Sequence, residues 1–95
     1  METFIKLYDW TRKTGFDQDT RTVLSLIHQF SENDNIGYWA GYKTMSDRTG
    51  YPKSKCKAIV EKLKEQGFVT ESRATVFRKT RIILRSNKNV TLKFL

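Results

Sequence analysis

The sequence contains little cysteine, histidine or proline: one residue of each among 95. A single cysteine cannot form an intramolecular disulfide, so a disulfide-stapled extracellular scaffold is excluded and a reducing, cytoplasmic setting is expected. The lone histidine, His28, has no cysteine or carboxylate at metal-site spacing, which argues against zinc. No apolar run approaches the roughly 18 residues that cross a bilayer, and the N-terminus lacks the features of a signal peptide, so no membrane partner is expected.

Acidic residues are scarce in the second half of the chain. Residues 1–47 carry five Lys/Arg against seven Asp/Glu, a net charge of −2, whereas residues 48–95 carry thirteen against three, a net charge of +10. An asymmetry of this size favours a polyanionic partner for one face over a merely solvated basic surface. The apolar content of 38% with twelve aromatic residues indicates that residues 1–95 form one small folded domain.

Two consecutive helices are predicted over residues 42–49 and 52–66. The second has Cys56, Ile59, Val60 and Leu63 at the spacing of one buried helix face. Gly50 suits the left-handed residue that ends a helix. Pro52 cannot continue the first helix but fits the start of the next, because its fixed φ is already helical. The join is therefore a tight turn of about three residues, the length that a helix-turn-helix uses.

These residues carry a family resemblance. The segment Trp39-Ala40-Gly41-Tyr42-Lys43-Thr44-Met45-Ser46-Asp47-Arg48-Thr49-Gly50 resembles the second helix of winged-helix DNA-binding domains. Residues 52–65, followed by Gln66-Gly67-Phe68-Val69, resemble their recognition helix and first wing strand. In pattern the chain is similar to the amino-terminal domains of phage and plasmid replication proteins and to small regulators of mobile elements. The resemblance covers residues 16–85; it departs at Pro52 and Ser54, where such domains often carry Ser and Arg.

The resemblance implies an α+β winged helix-turn-helix, with a three-helix core and a small antiparallel sheet. Its first helix is predicted over residues 18–31, because Asp17 is a favourable N-cap and Asp19 places negative charge in the first turn. Inward-facing residues of that helix are Val23, Leu24, Ile27 and Phe30, with Leu26 on the flank. Residues 1–15 allow either a strand over 3–8 or a helix over 4–13 with Phe4, Leu7, Tyr8 and Trp10 inward.

The predicted sheet begins with a short strand over residues 36–39 that pairs with the later strands. A strand starting at Phe68 leads to a hairpin tip at residues 72–75, and a return strand follows over 78–85. On that return strand Ile82 and Leu84 lie on one side and Ile83 on the other. The tail, residues 86–95, reads as a turn followed by a possible last strand.

The implied function is binding of double-stranded DNA. The helix over 52–66 would enter the major groove with seven residues: Lys53, Ser54, Lys55, Lys57, Ala58, Glu61 and Lys62. Ser54 and Lys57 are the best candidates for base contacts, since both can donate to base edges. The preceding helix would meet phosphate through Lys43 and Thr44. The wing would contact the backbone or minor groove with four residues: Arg73, Arg78, Lys79 and Arg81.

Several side chains have a plainer interpretation as well. Glu61 could accept from cytosine or turn back to Lys57 or Lys64. Phe77 could stack on an unpaired base or complete the core. Cys56 fits a small core residue better than a redox switch. Four aromatic residues fit the core better than a stacking platform: Tyr38, Trp39, Tyr42 and Tyr51.

No catalytic constellation, cofactor site or small-molecule substrate is predicted, because no Ser-His-Asp set, carboxylate pair or glycine-rich phosphate loop occurs in a working context. Within DNA binding, a replication-origin module and a small transcriptional regulator stay open, and a homodimer would extend the site that is read. Two other classes remain: a winged helix that docks a protein, and a single-stranded DNA-binding protein.

Overall fold

The protein is α+β in a computed structural model that describes residues 7–33 and 37–94. Within these residues a 3-10 helix is followed by three α-helices, a two-stranded antiparallel sheet and two short helical turns. The elements are the 3-10 helix Asp9–Thr14, α1 Gln18–Asn33, α2 Gly41–Thr49, α3 Lys53–Glu65, β1 Val69–Val76, β2 Lys79–Ser86, α4 Lys88–Thr91 and the 3-10 helix Leu92–Phe94. None of the described helices combines the length and apolar character that a membrane crossing requires.

Helix α1 starts at the predicted cap and forms the centre of the core. The backbone N–H of Thr20 donates to Asp17 Oδ1 at 2.9 Å, which satisfies a donor that the first helical turn leaves free. Of the four predicted inward residues, Val23, Leu24 and Ile27 are fully buried and Phe30 is half-buried against the core. Leu26, predicted on the flank, is fully buried as well. The helix continues two residues beyond the predicted end at 31.

The turn between α2 and α3 has the predicted geometry. Gly50 adopts a left-handed conformation with φ 79°, and its N–H donates to the Ser46 carbonyl at 2.8 Å. Pro52 is the residue that precedes the first turn of α3. The predicted apolar face of α3 is confirmed: Cys56, Ile59, Val60 and Leu63 are all buried in the main cluster. Cys56 is thus a core residue with no exposed surface.

The hairpin is longer than predicted, and its turn lies elsewhere. Strands β1 and β2 pair from Val69 opposite Ser86 to Val76 opposite Lys79. The turn therefore consists of Phe77 and Arg78, with φ values of 53° and 64°, and the predicted tip at residues 72–75 is wrong. Two central residues with positive φ match the twist of the flanking strands. The prediction failed because Asn-Gly usually marks such a turn, and neither residue occurs in it.

The base of the hairpin is covered on both faces. Leu84 belongs to the core cluster, and Ile83, on the other face, is buried close to Gly37. A sheet covered on one face would bury only one of these two neighbouring residues. Tyr38 exchanges two backbone hydrogen bonds of 2.8 Å with Leu84. The predicted strand over 36–39 is thus reduced to a single bridge at Tyr38, and Ile36 lies outside the described residues.

The predicted last strand is wrong, because the tail is helical. Asn87 caps α4 by accepting from the N–H of Asn89 at 3.1 Å. The Phe94 ring then lies 5.5 Å from that of Phe68, so the tail closes one end of the core. At the other terminus, residues 1–6 lie outside the described residues, with most of the strand predicted over 3–8. Of the residues predicted inward in the helix alternative, Trp10 is 6% exposed and Tyr8 is half-buried, but Leu7 is 40% exposed. The observed element is a 3-10 helix that starts only at Asp9.

Candidate nucleic-acid interface

The outer face of α3 is open to solvent along its whole length. The seven α3 residues predicted to meet the major groove are all exposed: Lys53, Ser54, Lys55, Lys57, Ala58, Glu61 and Lys62. This exposure follows from the burial of the opposite face in the core, since a helix presents only one stripe to its neighbours. Between the lysines, the exposed residues Ser54 and Ala58 carry short side chains.

Two of these lysines lie on the flank of α3 that faces the start of α1. The Lys55 ammonium group contacts the Asp19 carboxylate and lies 5.0 Å from the centre of the Tyr51 ring. Hydrogen bonding from Lys55 lowers the pKa of Asp19, and the same bond raises the pKa of Lys55. Lys62 lies 5.2 Å from the centre of the Phe16 ring. The charge of Lys55 is therefore already balanced within the protein.

The opposite flank of α3 is joined to the hairpin through Lys64. Its ammonium group lies 2.9 Å from Glu71 on β1 and 3.3 Å from Glu61 on α3. The hydrogen bonds that Lys64 donates to Glu71 and to Glu61 raise the pKa of Lys64. Glu61 thus turns back to Lys64, which is the second of the two interpretations given for this residue. Among the residues described by the structure, none forms an ion pair with Lys53 or Lys57, so these two lysines keep a free charge.

The register of the hairpin divides the four predicted wing cations. Arg73 pairs with Ile82 and lies on the same face of the hairpin as Glu71, two residues earlier. Because Glu71 contacts Lys64 of α3, this face is turned towards α3. Lys79 and Arg81 lie on the opposite face, and Arg78 is in the turn. The four cations share the outer end of the hairpin but not one face.

Arg81 belongs to an aromatic cluster at that outer end. Its guanidinium carbon lies 5.4 Å from the centre of the Trp39 ring, and its Nε donates to the Val76 carbonyl at 3.4 Å. The Phe77 and Trp39 rings meet edge to face with their centres 5.1 Å apart. Phe77 is 72% exposed, so it does not complete the core.

Of the four aromatic residues expected in the core, Tyr38 is fully enclosed, whereas Trp39, Tyr42 and Tyr51 are half-buried.

The two α2 residues predicted to meet phosphate differ in exposure. Lys43 is exposed, and its ammonium group lies 3.9 Å from the Asp47 carboxylate one turn later, a surface pair that is worth little. Thr44 is half-buried. Of these two predicted contacts, Lys43 is the more accessible to a phosphate.

Sequence reasoning missed a polar network around His28, which joins α1 to β2. His28 Nε2 lies 3.0 Å from Glu32, and Nδ1 lies 2.9 Å from Ser86 Oγ. Because a carboxylate only accepts, a neutral imidazole must carry its proton on Nε2 and accept from the Ser86 hydroxyl. Burial lowers the pKa of His28 despite the raising effect of Glu32. The described residues contain no group of three or more His, Cys, Asp and Glu side chains that could hold a metal ion.

A groove of about 300 Å³ between the start of α2 and strand β2 was also missed. It is lined by eight residues: Tyr38, Trp39, Gly41, Tyr42, Thr80, Arg81, Ile82 and Leu84. The predicted strand over 36–39 brings this segment beside the later strands, but no sequence signal shows that a groove lies between residues 38–42 and 80–84. Compared with protein-family models, with curated proteins and with solved structures, the chain matches none.

Proposed function

We propose that the protein is a winged helix-turn-helix domain that binds double-stranded DNA, with α3 in the major groove and the β1–β2 hairpin as the wing. The order of elements supports this proposal: a first helix, two helices joined by a tight turn, and then a hairpin. The observation that carries it is the exposed face of α3, which combines free lysines with small side chains, while the apolar face is buried in the core.

The charges refine which residues would engage DNA. Lys53 and Lys57 are free of ion pairs with described residues, and Ser54 lies exposed beside them. Arg73 extends from the hairpin face turned towards α3, and Arg78 extends from its tip. With Lys62, these would give about five phosphate or base contacts, so log K should fall against log salt with a slope of about −4.5.

Two biological roles fit this proposal equally: recognition of a replication origin and regulation of transcription. A single helix of thirteen residues reads only a few base pairs. Recognition of one genomic site would therefore require a homodimer or repeated half-sites.

A salt titration tests the proposal. The intact chain is titrated into a fluorescent random-sequence duplex at several salt concentrations, and binding is followed by anisotropy. We expect micromolar or tighter affinity at low salt that weakens steeply as salt increases. Absence of binding at low salt would refute the proposal and favour a protein-docking domain.

A pair of charge-matched variants locates the surface. Lys53→Ala/Lys57→Ala removes two free cations from α3 and should reduce the magnitude of the salt slope by about one or more. Lys88→Ala/Lys93→Ala removes the same charge from the exposed tail beyond β2 and should leave the slope nearly unchanged. Equal effects from both pairs would indicate a general attraction of the basic chain to DNA and would exclude α3 as the contact surface.

A further inference from the structure

The groove between α2 and β2 has the size and lining of a site for one planar group. Its volume, about 300 Å³, is at the lower end of the range for small-ligand sites, which is roughly 300–1,000 Å³. The half-buried rings of Trp39 and Tyr42 line it from the α2 side, and Thr80 and Ile82 line it from the hairpin. Ile82, on the hairpin side of the groove, is 43% exposed.

The aromatic surface continues from the groove to the tip of the hairpin. Trp39 contacts Phe77 edge to face, and Phe77 leaves 72% of its surface to solvent. Scattered exposed apolar residues are ordinary in proteins, but Trp39 both contacts Phe77 and lines the groove together with Ile82. This continuity extends the apolar surface beyond what the groove alone provides.

Charge around the groove selects the kind of planar group. None of the described residues that line it is acidic, and Arg81 lies at its wall with the guanidinium over Trp39. Glu61 and Glu71, which raise the pKa of Tyr42 after the larger effect of burial, are both held by Lys64. Arg78 and Lys79 add two exposed cations at the hairpin tip. A planar group attached to an anion is complementary to this arrangement, whereas a cationic partner would find no carboxylate among the residues that line the groove.

We propose that this groove receives one unpaired base of a DNA that is otherwise double-stranded, and that the cations of the hairpin tip hold the flanking phosphates. Aromatic rings accept any base through its π-face, and a guanidinium adds to that attraction. The inference rests on the proposed binding of duplex DNA and adds a preference within it: a duplex interrupted by an unpaired nucleotide binds more tightly than a continuous one.

Three duplexes of the same sequence test this preference with the intact chain. One is fully paired, one carries a single unpaired adenosine at its centre, and one carries an unpaired abasic residue at that position. The abasic duplex controls for bending, because it has the same interrupted backbone without a base. The unpaired adenosine should increase affinity about fivefold or more over the abasic duplex. Equal affinity for the two interrupted duplexes would overturn the proposal.

Variants distinguish the groove from the rest of the surface. Ile82→Trp places a large ring in the groove at an exposed position, so it should abolish the preference for adenosine over the abasic residue and preserve binding to the paired duplex. Ser72→Trp is the matched control, because Ser72 is exposed and pairs with Ile83 on the other face of the hairpin. Circular dichroism verifies that both variants fold. A preference that persists in Ile82→Trp would exclude the groove.

Two further outcomes are decisive. If no duplex binds at low salt, the proposed function itself is refuted; if all three bind equally, only the unpaired-base site is refuted. Free adenosine monophosphate serves as the remaining probe, followed by tryptophan fluorescence. Saturation by the mononucleotide at micromolar concentration would identify a small-molecule site and overturn the assignment to DNA, whereas weak or absent binding is expected, since the duplex supplies the additional phosphate contacts.

Discussion

The ammonium group of Lys55 on α3 contacts the carboxylate of Asp19 in the first turn of α1. A lysine that the sequence assigns to DNA is therefore neutralised by a residue 36 positions away. Since only cations that are free to meet phosphate release counterions from DNA, we expect Asp19 to limit the number of contacts that α3 makes.

Asp19→Asn should release Lys55 and increase affinity for duplex DNA. The salt slope should become steeper by about one, because one more phosphate is neutralised. Anisotropy titrations at several salt concentrations measure both quantities. In the wild-type background Lys55→Ala should change the slope little, and combined with Asp19→Asn it should cancel the gain. A gain that survives in the double variant would exclude Lys55 as its source.

Lys57 and Arg78 should differ in what they contribute to DNA binding. Lys57→Ala removes a free cation in the middle of the exposed face of α3, and we expect it to relax the preference at one base position by about 1–3 kcal/mol. Arg78→Ala should weaken binding to all sequences alike and reduce the magnitude of the salt slope by about one. Selection of bound duplexes from a random pool, followed by titration of the best and the scrambled sequence, separates the effects. Equal losses for both variants on both duplexes would remove Lys57 from base reading.

The helical half of the fold was predictable because its signals are local. The apolar spacing of Cys56, Ile59, Val60 and Leu63 requires only helical periodicity, and the turn at Gly50 requires only backbone preferences. The hairpin turn could not be located in the same way. Its residues, Phe77 and Arg78, are held at positive φ by the pairing of the long strands on either side of them.

The candidate site was predictable as a set of charges but not as a surface. The exposed face of α3 follows from its periodicity. Periodicity does not show which lysines of α3 stay free of ion pairs, because Lys55 pairs with Asp19 of α1 and Lys64 pairs with Glu71 of β1. The separation of Arg73 and Arg81 onto opposite faces depends on the strand register, and a shift of one residue would place both on the same face.

His28 should make stability sensitive to pH. Burial lowers its pKa below the ordinary value of 6.5, with Lys88 acting in the same direction and Glu32 opposing. The unfolded chain therefore binds a proton at a pH where the folded protein does not, so stability is fully present above about pH 6.5 and falls as the pH drops below it. Urea unfolding at neutral and mildly acidic pH measures this loss. In His28→Gln, which has no group to titrate there, the loss over the same interval should be smaller, and an unchanged loss would assign it to other groups.

Substitution of the turn residue Arg78 by glycine should change folding stability and DNA affinity in opposite directions. Its φ of 64° is unfavourable for a side chain with a Cβ, and glycine commonly occupies this position in two-residue hairpins. Arg78→Gly should stabilise the fold by about 0.5–1 kcal/mol, the relief of strain less the greater backbone entropy of glycine in the unfolded chain. Because the cation is lost, the same variant should bind duplex DNA more weakly.

Arg78→Ala is the control that keeps the backbone strain and removes only the charge. It should show the same loss of DNA affinity as Arg78→Gly, without the gain in stability. Urea unfolding and anisotropy titration of both variants give the two quantities independently. If Arg78→Gly gains stability and keeps full affinity, Arg78 makes no contact with DNA. An arginine retained at a strained position would then require a role other than binding to the phosphate backbone.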